Sequence, residues 1–75
     1  LRKYKEAIDY YQKAIELNYH DPSLCIYEIG SCMFFLRKYK EAIDYYQKAI
    51  ELNHKNPSLC KSMIKKIHYF IRSGV

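Results

Sequence analysis

Seventy-five residues, 49% of them hydrophobic and 28% charged, make one small domain at most, and that apolar content excludes a disordered chain. The longest unbroken apolar run, Cys32 to Leu36, is five residues against the roughly 20 that a membrane helix needs, so no span is expected. The net charge of +5 points to an acidic partner, yet residues 1 to 53 carry eight basic and eight acidic side chains, and the whole excess lies in residues 54 to 75, with five basic and none acidic.

The chain repeats itself. Shifted by 35 positions, Leu1 to Cys25 superposes on Leu36 to Cys60 with 22 of 25 residues identical, and the differences, Tyr19-His20-Asp21 against His54-Lys55-Asn56, fall together just before Pro22 and Pro57. A period of this size is the signature of a solenoid, in which each unit buries its apolar face against the next. Over Ile26 to Phe35 and Lys61 to Phe70 the two copies diverge, with only Ile29/Ile64 and Phe35/Phe70 matching.

In chain order, the first element is a helix over Lys5 to Asn18, which repeats Lys40 to Asn53 position by position. A second begins at Asp21-Pro22, an N-cap side chain followed by a proline at the first helical position, and runs to about Leu36. Its core face carries Cys25, Ile26, Ile29, Gly30, Cys32, Met33 and Leu36, while the opposite face holds Leu24, Tyr27, Ser31, Phe34 and Phe35, so it is apolar nearly all round. Such a helix is buried on both sides or lines the inner curve of an array.

The third helix, Lys40 to Asn53, is amphipathic. Tyr39, Ala42, Ile43, Tyr46, Ala49, Ile50 and Asn53 share one face, with Tyr45 and Leu52 on its flank. Lys40, Asp44, Gln47, Lys48 and Glu51 occupy the other. A fourth helix starts at Asn56-Pro57 and runs to about Arg72. It keeps Cys60, Ile64, Ile67 and Ile71 for packing, but Lys61, Lys65 and His68 replace Ile26, Gly30 and Met33, with Arg72 beside them. That polar face reads as a cap, since terminal repeats are atypical and polar outward.

The unit Ser23 to Asn56 resembles a tetratricopeptide repeat. Ile26, Ile29-Gly30, Met33, Ala42, Tyr46 and Ala49 fall at the family's spacings, and Tyr39-Lys40-Glu41-Ala42-Ile43 with Tyr46-Gln47-Lys48-Ala49-Ile50-Glu51-Leu52 looks like its second helix. Three features depart from the pattern: Arg37 replaces a common turn glycine, His54 stands where proline is usual, and the period is 35 instead of 34. The expected fold is all-α, an α-solenoid of antiparallel helix pairs with four helices. Residues 1 to 18 form the second helix of a repeat truncated at its N-terminus, residues 23 to 56 a complete repeat, and residues 57 to 75 a capping helix or the first helix of a divergent repeat.

The resemblance implies a protein-interaction module and no enzyme. Its inner face, formed by the first helices of the repeats, is expected to be lined by Leu24, Tyr27, Ser31, Phe34, Ser62, Lys66 and Tyr69. Aromatic anchors with one cation suit an apolar peptide or helix bearing an acidic group. The clamp that relatives use on the C-terminal carboxylate of chaperones needs Lys and Asn on the inner helices. It is not met, because Tyr27 and Ser31 occupy one repeat's clamp positions and Leu59 and Met63 another's. RNA binding of the pentatricopeptide kind is disfavoured, because a nucleic-acid groove is basic along its length and the first 53 residues are neutral. Near-identical repeats also allow self-stacking through the N-terminal end.

The remaining chemistry is sparse. Lys61, Lys65 and Arg72 form a basic stripe that either binds an acidic group or only solvates the cap. His20, His54 and His68 lack the spacing of a metal site, so no metal or cofactor is expected. Cys25, Cys32 and Cys60, odd in number and directed to packing faces, read as free thiols of a reducing, cytoplasmic compartment.

Overall fold

The computed structural model describes residues 3–18, 21–52 and 55–74. Four helices follow one another: α1 (Tyr4–Glu16), α2 (Pro22–Phe35), α3 (Tyr39–Glu51) and α4 (Pro57–Ser73). Among the described residues there is no strand. The all-α array of helix pairs expected from the repeat is therefore the fold, with helix ends that shift by one or two residues. Asn53, assigned above to a helix face, and the histidines His20 and His54 lie outside the described residues.

Local chemistry sets the helix starts. Pro22 and Pro57 each open a helix at its first position, where the missing N–H costs nothing. The Asp21 carboxylate accepts hydrogen bonds from the Ser23 amide and the Ser23 hydroxyl, both at 3.0 Å. The Asn56 side chain accepts from the Leu59 amide at 3.2 Å. Each such cap contributes about 1 kcal/mol. α1 and α3 have no side-chain cap at Lys3 or Lys38.

The turn between α2 and α3 is closed by backbone alone. Arg37 takes a left-handed conformation, φ 63°, its amide donates to the Phe34 carbonyl at 3.0 Å, and the Lys38 amide reaches back to the Met33 carbonyl at 2.8 Å. This pair of bonds is the Schellman arrangement, for which glycine is the usual residue at the left-handed position. Asn18, φ 56°, is also left-handed after α1, and its amide donates to the Ile15 carbonyl at 3.2 Å.

α2 packs between α1 and α3, and α3 in turn carries α4. The molecule measures 39 × 27 × 17 Å, as expected when each helix packs on its neighbours in the row. The tightest seam lies between α2 and α3. Ala42, Tyr46 and Ala49 are completely buried there, in a cluster that also holds Ile26, Cys60 and Ile67. A methyl group on Gly30 would sit 3.1 Å from two ring carbons of Tyr46 and 3.2 Å from the Tyr45 Cβ, so glycine lets the helices approach this closely without displacing those side chains. A second cluster, Ile8, Ile29 and Cys32, joins α1 to α2. Burying a side chain such as Ile29 or Ile67 contributes roughly 2 kcal/mol.

α4 follows the expected pattern in part. Cys60 and Ile67 are fully buried and Ile64 half-buried, while Lys61, Lys65, His68 and Arg72 are exposed. Ile71, expected to pack, is instead 45% exposed. The Phe70 ring lies 6.4 Å from that of Tyr39, the first residue of α3, so the last turn of α4 runs beyond the helix that supports it. Among the described residues, no helix is long and apolar enough to cross a membrane.

Candidate functional site

Seven residues were expected to line an inner face, four on α2 and three on α4. They occupy one stripe of each helix: Leu24, Tyr27, Ser31 and Phe34 recur at helical spacing, as do Ser62, Lys66 and Tyr69. Their surroundings divide them into two groups.

Tyr27, Ser31 and Phe34 are half-buried and already engaged. The Tyr27 ring lies 5.4 Å from that of Tyr46, and the Ser31 hydroxyl shares a 2.9 Å hydrogen bond with the Tyr46 hydroxyl. Burial pushes the Tyr46 phenol up to about 12, only partly offset by the bond to Ser31, with a smaller upward push from neighbouring Tyr27. The group is therefore a neutral hydrogen-bonding hydroxyl at neutral pH. Phe34 stacks on Phe70 at 5.8 Å and 20°, and meets Tyr39 and Phe35 at 5.8 and 5.4 Å. That stack is what ties α2 to α4.

Leu24, Ser62, Lys66 and Tyr69 face outward. Leu24 is 45% and Tyr69 65% exposed, and Tyr69 leans on Phe70 at 6.0 Å between ring centres. Leu24 also borders a small hollow of about 120 Å³ with Asp21, Ser23 and Lys55. The stripe thus has a rigid aromatic floor under its centre and exposed apolar side chains at either end.

Helix projection missed an aromatic edge. Tyr4 stacks on Phe35 at 5.2 Å and 11°, and the same pair one repeat later, Tyr39 and Phe70, lies at 6.4 Å and 35°. With Phe34 and Arg37, three of these rings (Phe35, Tyr39, Phe70) enclose an open recess of about 210 Å³. The signal was present in the sequence, because Phe35/Phe70 is one of only two positions retained between Ile26 to Phe35 and Lys61 to Phe70.

Nothing among the described residues gathers reactive groups. No three His, Cys, Asp or Glu side chains converge on a common point there. Cys25, Cys32 and Cys60 are free and buried, and burial raises all three thiols, so they stay protonated as small packing groups. Every buried side-chain polar atom among the described residues has a hydrogen-bond partner.

Two family models, both described as tetratricopeptide repeat, match the chain, one over residues 24–56 and the other over residues 1–21. Neither a curated protein nor a solved structure gives a significant match.

Proposed function

The chain belongs to the tetratricopeptide repeat family, whose repeats mediate protein–protein interaction as non-catalytic scaffolds, and from that premise we propose that the stripe along α2 and α4 binds a peptide or helix of a protein partner. The observation that carries this reading is the exposure of Tyr69. At 65% it is the most exposed large apolar side chain among the described residues, and Lys66 lies about one helical turn before it on the same stripe.

Within this reading the seven residues have different duties. Tyr27, Ser31 and Phe34 fix the shape of the floor through Tyr46 and Phe70. Leu24 and Tyr69 supply the apolar contacts, and Lys66 and Ser62 supply polar ones. The matching ligand is an apolar segment carrying an acidic side chain. Binding energy concentrates in a few aromatic contacts, so Tyr69 is the expected anchor.

The test selects peptides from a displayed library on the intact chain and repeats the capture with the triple variant Leu24→Ala, Lys66→Glu, Tyr69→Ala. All three side chains are exposed, so helicity by circular dichroism is expected to stay unchanged while capture falls at least tenfold. Undiminished capture by the variant would refute the assignment. Raising the salt concentration separates this reading from RNA binding, which weakens steeply as phosphate contacts are screened.

A further inference from the structure

The end of α2 keeps an aromatic ring and a cation that the core does not require. Between Ile26 to Phe35 and Lys61 to Phe70 only two positions of ten match. One, Ile29, is 1% exposed, and its retention follows from burial. The other, Phe35, is 58% exposed, and two residues later Arg37, also exposed, recurs as Arg72. Arg37 is moreover held in a left-handed conformation, φ 63°, that glycine takes without strain. Core burial and turn geometry therefore account for neither residue, whereas the recess that both of them border accounts for the two together.

The walls of this recess are preformed. Phe35 meets Phe34 edge-on at 5.4 Å and 66°, Tyr39 tilts against Phe34 at 5.8 Å and 48°, and Phe70 stacks on it at 5.8 Å and 20°. Tyr4 stacks on Phe35 at 5.2 Å, so even the most exposed wall is held in place before any ligand arrives. The open volume, about 210 Å³, is below the roughly 300 Å³ at which small-molecule pockets begin, and suits one side chain of a larger partner. Aromatic walls alone would also suit a quaternary ammonium group. Here Arg37 is the one charged residue among the described residues that line the recess, so a cation is repelled and an anion attracted.

We propose that the recess docks an aromatic side chain of a protein partner whose neighbouring residue is acidic, with the ring against Phe35 and Phe70 and the carboxylate on the Arg37 guanidinium. A guanidinium presents paired donors that match the two oxygens of a carboxylate, which fixes the order of the two groups on the partner. The site lies at the edge where α2 turns into α3 and goes beyond the α2–α4 stripe. Phe34 is common to both, but Leu24, Ser62, Lys66 and Tyr69 are not among the residues that line the recess.

The chain contains no tryptophan, so a tryptophan probe can be excited selectively in its presence. The test titrates N-acetyl-Trp-Glu amide and N-acetyl-Trp-Lys amide into the intact chain at low salt, reading affinity by fluorescence anisotropy and location by backbone amide shifts in NMR. The acidic probe is expected to bind saturably and about fivefold or more tighter than the basic one. Its largest shifts are expected at Phe34, Phe35, Arg37, Tyr39 and Phe70. Arg37→Gly suits the left-handed turn and keeps the fold, while the preference between the probes is expected to fall below about twofold. Phe35→Ala, at an exposed position, is expected to weaken both probes about threefold or more at unchanged helicity. Equal affinity for the two probes, preference for the basic one, absence of saturable binding, or a preference that survives Arg37→Gly would overturn the proposal. The titration is repeated on the double variant Leu24→Ala, Tyr69→Ala, which removes the apolar contacts of the stripe. Unchanged binding there supports the recess, and lost binding assigns the probe to the stripe and overturns the recess. Failure of one reading thus leaves the other standing.

Discussion

α2 and α4 begin with the same four residues and occupy the same place in successive repeats, yet one is apolar nearly all round and the other is split into an apolar and a cationic face. The difference follows what touches them. α2 has a helix on each side, α1 and α3, whereas the extensive packing of α4 is on α3 alone. On α2 the positions Ile26 and Gly30 are buried; on α4 the same positions are Lys61 and Lys65 and are exposed. The chemistry of each helix thus matches the neighbours it has among the described residues, and all the excess charge of the chain falls in its last segment.

The sharpest way to break this comparison is to exchange the residues at one pair of positions. Gly30→Lys forces a side chain into the space held by Tyr46 and Tyr45, and is expected to cost about 3 kcal/mol or more, enough to unfold a domain this small. The reverse change, Lys65→Gly, meets no such neighbour and is expected to cost under about 1 kcal/mol, the helix propensity of an exposed glycine. Urea unfolding followed by circular dichroism measures both. Similar costs for the two changes would show that the tight contact at Gly30 does not govern the seam.

Much of this contrast is legible in the amino-acid sequence. The 3.6-residue periodicity places Ala42, Tyr46 and Ala49 on the buried face and Lys40, Asp44, Gln47, Lys48 and Glu51 in water, because a solenoid helix meets its neighbours through one continuous stripe. The proline-led starts are legible for the same local reason. Projection is less informative about Ser31 and Phe34. It assigns a residue to a face, but whether a hydroxyl on that face reaches a ligand or the Tyr46 hydroxyl depends on the crossing of two helices. The Tyr4–Phe35 stack is hidden likewise, since its partners are 31 positions apart and belong to different repeats. Ile71 departs from its expected burial because periodicity does not show where a supporting helix stops.

The cover that α2 provides over Tyr46 can also be read through pH. The folded-state phenol is raised to about 12 against an ordinary value of 10.0, so the folded protein keeps its proton longer than the unfolded chain. The sign follows: below about pH 10 both states are protonated and nothing is lost, whereas between pH 10 and 12 the unfolded state ionises first and stability falls. The full loss is about 3 kcal/mol, approached as pH passes through 12. The raised thiols of Cys25, Cys32 and Cys60 add a decline of the same direction, beginning nearer pH 9. Tyr46→Phe isolates the phenol. At neutral pH it is expected to cost about 1 kcal/mol, because the Ser31 hydroxyl loses its partner, and above pH 10 its stability is expected to fall less steeply than that of the unaltered chain. Parallel alkaline limbs for the two proteins would show that Tyr46 is not held neutral by its burial.

The smallest effect concerns where each helix stops. Arg37 and Arg72 are equivalent across the repeat but have opposite conformations: Arg37 leaves α2 in the left-handed region, while Arg72 lies within the last turn of α4, which ends only at Gly74, φ 77°. The difference has a physical source in the neighbours. After Arg37 the chain must turn back to lay α3 against α2, and the backbone bonds from Lys38 to Met33 and from Arg37 to Phe34 complete that reversal. After Arg72 the helix runs on to Ser73, and Gly74 then admits the left-handed conformation without strain. A non-glycine residue in that conformation costs roughly 1 kcal/mol or slightly more, and the Arg37 side chain is exposed. Arg37→Gly is therefore expected to stabilise the chain, by less than about 1 kcal/mol once the greater freedom of glycine in the unfolded state is deducted, and to raise the urea midpoint slightly. Arg72→Gly is expected to have the opposite sign, since it places a glycine inside a helix. Destabilisation by both changes would mean that the Arg37 side chain contributes more than its backbone strain costs.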